Sequence, residues 1–219
     1  MFKRMIILIL IISISIIAGC SGGGGDDGSS SDKPWLSVEV FPNDNDSSYR
    51  AWGFLEIGGG KSYDAHMTLN GIQITPDSSN GSNVSIDGIG SGDEVKLHVN
   101  HPKIATIEEV LTVPQTVTDI STTSTVAQWK NERELVIEFS NGDATYYVVY
   151  ANGIGIGHPA WNASPIKIGA EDSNSFLYNN PAKITIQIRG VKLKEFPHFS
   201  SASRFQVLGL KSEEYELGL

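Results

Sequence analysis

Met67-Thr68-Leu69-Asn70-Gly71-Ile72-Gln73-Ile74 is the stretch that decides the fold. Two short runs that alternate apolar and polar residues flank an Asn-Gly pair. A type I′ turn needs positive φ at both central residues, and Asn-Gly tolerates that best. The stretch therefore predicts a tight β-hairpin, and Asn152-Gly153 repeats the signal later in the chain.

Period two continues outward in both directions. Leu36, Val38 and Val40 alternate with Ser37 and Glu39. Trp52 and Phe54 alternate with Gly53, Leu55 and Ile57, so that strand has apolar side chains on both faces. Val95, Leu97 and Val99 alternate with Lys96 and His98, and Val110 to Val113 ends at Pro114. Farther on, Leu135, Ile137 and Phe139, then Ile184, Ile186 and Ile188, keep the same period, and Phe205 and Val207 fall in the last run. Only Ile104 to Leu111 offers a short helical turn. Strands at this spacing, separated by Gly, Asn, Asp and Ser, predict an all-β chain built as β-sandwiches. Pro114 to Thr118 interrupts pairing and predicts a junction between two of them.

Leu135-Val136-Ile137-Glu138-Phe139 resembles the second strand of a fibronectin type III domain, with Phe139 where that family usually carries Trp. Ala144-x-x-Tyr147-x-Val149 resembles its third strand. Ile184-x-Ile186-x-Ile188-x-Gly190-Val191 resembles the sixth, with a small residue at Gly190. The resemblance implies a fibronectin type III-like sandwich over residues 115–210, followed by a C-terminal tail at 211–219. Residues 34–114 look like an Ig-like sandwich. Neither resemblance implies chemistry.

The chain opens with Met1-Phe2-Lys3-Arg4, runs through apolar residues to Ile17, and reaches Ala18-Gly19-Cys20. Basic, apolar and small-residue segments in that order are the layout of an export signal. The apolar run is shorter than the ~20 residues that cross a bilayer as a helix. An ordinary secretory signal is the other alternative. Ile17-Ala18-Gly19-Cys20 resembles the lipobox of bacterial lipoproteins. That implies a signal peptide over 1–19, lipidation of Cys20 and a membrane anchor. Residues 20–33, rich in Gly, Ser and Asp, then form a flexible tether with a random-coil span of about 20 Å. Ser21 after the cysteine resembles the sorting pattern for the outer membrane, if the source has two membranes.

The formal charge is −9, and loss of Lys3 and Arg4 with the leader makes it more negative. Such a chain is a poor fit to nucleic acid, which selects basic faces. Cys20 is the only cysteine, so disulfides and thiolate metal sites are excluded.

Candidate sites are sparse. His98 and His101 form His-x-x-His, but a strand followed by a loop does not converge two rings on one metal, and no third ligand follows. His66, His158 and His198 are scattered. Asn43-Asp44-Asn45-Asp46, with Asp87 and Asp93 nearby, offers hard oxygen ligands without the spacing of a calcium loop. The glycine runs 88–92 and 153–157 lack the helix of a phosphate loop. Trp35, Trp52, Trp129, Trp161, Tyr146 and Tyr150 supply aromatic faces on which sugar rings stack. Trp161, in the loop Gly157-His158-Pro159-Ala160-Trp161-Asn162, is the foremost candidate for ligand binding. No catalytic set is signalled. These readings point to a lipid-anchored, non-enzymatic spacer or interaction module of the cell envelope, with a protein or glycan partner and no metal or cofactor. A carbohydrate-binding module and a calcium-stabilised adhesin-like module are the alternatives.

Overall fold

The computed structural model describes residues 33–43, 48–74, 84–124, 134–157, 161–169 and 183–218. Cys20 and the tether up to residue 32 lie outside them, as do Trp129, His158 and Asp44 to Asp46. The described residues form β-strands and turns, with no helix among them. The chain is all-β. The segment Ile104 to Leu111 does not form a helical turn: Ile107–Thr112 is strand β8. This segment, with β-branched Ile107 and Val110, pairs instead with β7 (Glu94–Asn100).

Both Asn-Gly turns have the predicted geometry. Asn70 and Gly71 have φ of 49° and 79°, and Asn152 and Gly153 have 50° and 80°. They join β4 (His66–Leu69) to β5 (Ile72–Ile74) and β11 (Tyr146–Ala151) to β12 (Ile154–Gly157). Each asparagine also ties its turn to the next strand. Asn70 Oδ1 accepts the Lys96 N–H at 2.8 Å, and Asn152 Oδ1 accepts the Thr185 N–H at 2.9 Å.

Among the described residues three sheets make two cores. The large, nine-stranded sheet runs β12-β11-β14-β15-β1-β2-β3, with β16 also on β14 and β6 on β2. Its members include β1 (Trp35–Pro42), β2 (Tyr49–Ile57), β3 (Gly60–Lys61), β6 (Val84–Ile86), β14 (Lys183–Glu195), β15 (Arg204–Lys211) and β16 (Tyr215–Gly218). A four-stranded sheet, β5-β4-β7-β8, covers one end of it, and β13-β10-β9 covers the other. Here β9 is Thr118–Thr122, β10 is Leu135–Ser140 and β13 is Ile166–Ile168. The first core packs Leu36, Val38, Leu55, Met67, Leu97 and their neighbours. The second packs Leu135, Ile137, Tyr147, Ile166, Ile186 and theirs, with Phe139 edge-on to Tyr147 at 4.8 Å.

The boundary at 114/115 is not the boundary of the cores. Strands β14, β15 and β16 are one long hairpin. The first half of β14 pairs β16, and its second half pairs β15. The far end of this hairpin leaves the second core and joins the first. There β15 lies parallel to β1, Ser37 opposite Arg204 and Val40 opposite Val207. Phe196, Phe205 and Val207 therefore belong to the first core. Nor is 211–219 a tail, because Tyr215–Gly218 completes the large sheet on β14. The polar Ser212-Glu213-Glu214 break hides that strand in the sequence.

The hairpin tip clamps the start of β1. Ser200 N–H donates to Pro34 O at 2.9 Å, and the buried Ser203 hydroxyl accepts the Leu36 N–H at 3.0 Å. Trp35 Nε1–H donates to Ala202 O.

At the junction, Pro114 crosses a seam of two glycines. A Cβ on Gly190 would lie 2.9 Å from Ala144 Cβ and 3.1 Å from Pro114 Cβ. One on Gly209 would lie 3.0 Å from Pro114 O. The small residue at 190 is thus required by close approach. Asp143 secures the same seam, accepting the Gln115 N–H and the Lys192 ammonium at 2.9 Å each. Partial burial works against its charge, but those two donors outweigh it and hold its pKa below the ordinary carboxylate value. Lys194 reaches Glu109 on β8 at 3.2 Å.

Candidate functional site

Trp161 does not offer a platform. Only 8% of it is exposed, and it packs in the second core, its carbonyl accepting the Tyr147 N–H at 2.8 Å. A large indole beside a short β13 gains more from the core than from solvent. The other aromatics singled out from the sequence do share one surface, apart from Trp129. Both smaller sheets lie on the same side of the large sheet, and among the described residues no further sheet covers its opposite face.

Pairing register builds that open face. Since Leu36, Val38 and Val40 point to the core, Trp35, Ser37, Glu39 and Phe41 point away from it. One row across the sheet reads Leu193, Gln206, Glu39, Trp52. The next reads Glu195, Arg204, Ser37, Phe54. Trp35 meets the Phe54 ring edge-on at 4.6 Å, and Trp52 stacks on Phe54 at 5.8 Å. Lys61 Nζ lies 5.9 Å from the Phe54 centroid. These half-buried rings flank a polar centre.

Glu39 is that centre. Burial pushes its carboxyl pKa above the ordinary 4.5, partly offset by the Arg204 charge, hydrogen bonds from Gln206 and Trp52, and the charge of Arg189. Gln206 and Ser37 are buried beside it although they point away from the core. The network links β15, β1 and β2 across the sheet, which pins their register. Tyr146 stands near the same charges, and burial raises its hydroxyl pKa despite Arg204.

At the other end of the face, two cations share one ring. Arg189 Cζ lies 5.3 Å and Lys211 Nζ 4.6 Å from the Tyr150 centroid. Tyr150 in turn covers Gly155, whose Cβ, if present, would lie 3.1 Å from the ring.

The described histidines do not assemble. His98 sits 3.4 Å from Glu108, while the buried His101 sits 3.3 Å from Asp64 and its Nδ1 accepts the Lys103 N–H. His66 and His198 are exposed. Among the described residues no three His, Cys, Asp or Glu side chains come together as metal ligands. Asp87 and Asp93 serve turns, accepting from Ser85 Oγ and from the Gly90 N–H.

Sequence reading missed Glu39, Arg204, Gln206, Arg189 and Lys211 as a group. Each occupies an outward strand position, which reads as solvated. Only the parallel β1–β15 pairing brings Arg204 and Gln206 to Glu39. A search against protein families and curated proteins finds no family and no relative that matches the chain. No helix of the described residues is long and apolar enough to cross a membrane.

Proposed function

We propose that this chain is a lipid-anchored, non-enzymatic interaction module of a bacterial cell envelope, held through Cys20 and presenting the open face of its large sheet. Support for the anchor comes from the basic, apolar and Ala18-Gly19-Cys20 segments and the Gly/Ser/Asp tether that follows. The observation that carries the interaction role is the open face itself. It spans both cores and sets half-buried Trp35, Trp52 and Phe54 at one end and half-buried Tyr150 and Lys211 at the other. Aromatic side chains are enriched in protein contact surfaces. Outer-membrane placement follows from Ser21 if the source has two membranes. The arrangement of β13-β10-β9 against β12-β11-β14-β16 supports a fibronectin type III-like second sandwich.

Fractionation of cells that make Cys20→Ser tests the anchor. The wild type should sediment with membranes and the variant should not, since acyl burial of ~0.8 kcal/mol per methylene holds the protein there. A variant that stays with the membrane sinks the anchor. A glycan partner is the second reading, favoured by the Trp35–Phe54–Trp52 cluster. Binding on a glycan array that vanishes in Trp52→Ala would establish it, and a blank array would dismiss it.

A further inference from the structure

We infer that the tip of the long hairpin, with the residues that lead into β1, binds a small zwitterion. Lys33 and serine hydroxyls hold its anionic end, and Glu195 holds its ammonium end. The site does not depend on the lipid anchor.

Two consecutive turns build the tip. Strand β14 ends at Glu195 and β15 begins at Arg204. Between them, Phe199 N–H closes one turn on Phe196 O at 3.0 Å, and Ser203 N–H closes the next on Ser200 O at 2.9 Å. The Phe196 and Phe199 rings lie 5.7 Å apart and pack on the first core, which holds the connection in place. Ser200 N–H ties it to Pro34 O. A cavity of about 490 Å³ is left there, and Lys33, Glu195, Phe196, Phe199, Ser200 and Ser201 stand on its walls. That volume falls within the ~300–1,000 Å³ typical of ligand clefts.

The charges at this cavity are not neutralised by the fold. Lys33 and Glu195 are both exposed. Among the described residues neither forms an ion pair, with the other or with a third group. Arg204 is the neighbour of Glu195 across the hairpin, but its charge bears on Glu39. A hydroxyl proton is left over as well. Ser200 Oγ and Ser203 Oγ share one hydrogen bond at 3.2 Å, and Ser203 Oγ also accepts the Leu36 N–H. The two hydroxyls carry two protons and use one between them, so the other can be donated to an acceptor in the cavity that both residues line. Ser201 adds an exposed hydroxyl.

Opposite charges on one cavity select against ligands of a single sign, because a lone anion meets Glu195 and a lone cation meets Lys33. A zwitterion satisfies both. Its anionic oxygens accept from the Lys33 ammonium and the serine hydroxyls, and its ammonium donates to the Glu195 carboxylate. The Phe196 and Phe199 rings offer apolar surface to the stem between the two ends. A short peptide carries this chemistry, and so does the phosphoethanolamine head group of a lipid.

The test is a titration of the isotope-labelled folded chain followed by NMR. Alanyl-alanine should shift the amide signals of Lys33, Glu195, Ser200 and Ser201. Lactate, which lacks the ammonium, and ethylamine, which lacks the anion, should each bind about tenfold more weakly. Lys33→Met and Glu195→Gln alter exposed positions, and each should weaken binding of alanyl-alanine about tenfold. Glu195→Gln should at the same time tighten binding of lactate, since it removes a like charge; loss of the fold would weaken both ligands. Glycerophosphoethanolamine separates the sources: binding tighter than that of alanyl-alanine supports a lipid head group, and weaker binding supports a peptide. Absence of shifts with both zwitterions, equal affinity for lactate and alanyl-alanine, or unchanged affinity in Glu195→Gln would overturn the assignment.

Discussion

Phe205→Ala probes the way the two sandwiches are joined. Phe205 lies in the part of the chain that sequence assigns to the second module, yet its side chain is fully buried in the first core. Truncating a buried phenylalanine removes its transfer free energy and leaves a cavity, at a cost of about 3–5 kcal/mol. Against a typical stability of roughly 5–15 kcal/mol that is a large fraction. At about 2–4 °C per kcal/mol for a body of this size, the melting temperature should fall by about 6–20 °C. Location of the loss is more telling than its size. Hydrogen exchange should report weaker protection at β4 and β7, which are distant in sequence but pack in the same core. Because β15 is hydrogen-bonded to both β1 and β14, β11 and β14 should weaken with them. Lost protection in β10 and β13 with β4 and β7 unchanged would refute the assignment of Phe205.

Gly190→Val should destabilise by about 1–3 kcal/mol, because its side chain would enter the space held by Ala144 and Pro114; chemical denaturation measures this, and a neutral result would mean that the seam is loose. Two carboxyls give opposite pH slopes. The pKa of Asp143 is lowered, so the unfolded chain binds more protons, and its contribution is present above the unfolded value and lost as pH falls through the folded one. The pKa of Glu39 is raised, so its contribution is present below the unfolded value and lost as pH rises through the folded one. Urea melts across the acid range should therefore steepen towards acid in Glu39→Gln relative to wild type, and an unchanged slope would show that Glu39 is not desolvated.

Much of the fold is legible in the sequence where physics is local. Asn70-Gly71 and Asn152-Gly153 announce their turns because positive φ restricts the residue types allowed. The alternation of Leu36, Val38 and Val40 announces a face because side chains alternate on a strand. The division of the cores is not legible. Phe205 and Val207 show the period of a strand but not its partner, and parallel pairing with β1 leaves no mark near either strand. Tyr215–Gly218 is too short and too polar at its start to stand out. The site fails for a related reason. Trp161 follows a Gly- and Pro-rich stretch, which suggests exposure, but its indole lies in the second core. Lys211 reads as an outward charge near a terminus, and only its pairing with Arg189 on β14 brings it to Tyr150.

The joining of both sandwiches by one hairpin is tested most directly by making residues 33–114 alone and comparing them with 33–219. The longer chain should melt in one cooperative transition. The shorter one lacks Phe196, Phe205 and Val207 of its core and the strand beside β1, so it should show no cooperative melt and collapsed amide dispersion. A sharp transition and a well-dispersed spectrum from 33–114 by itself would contradict the account.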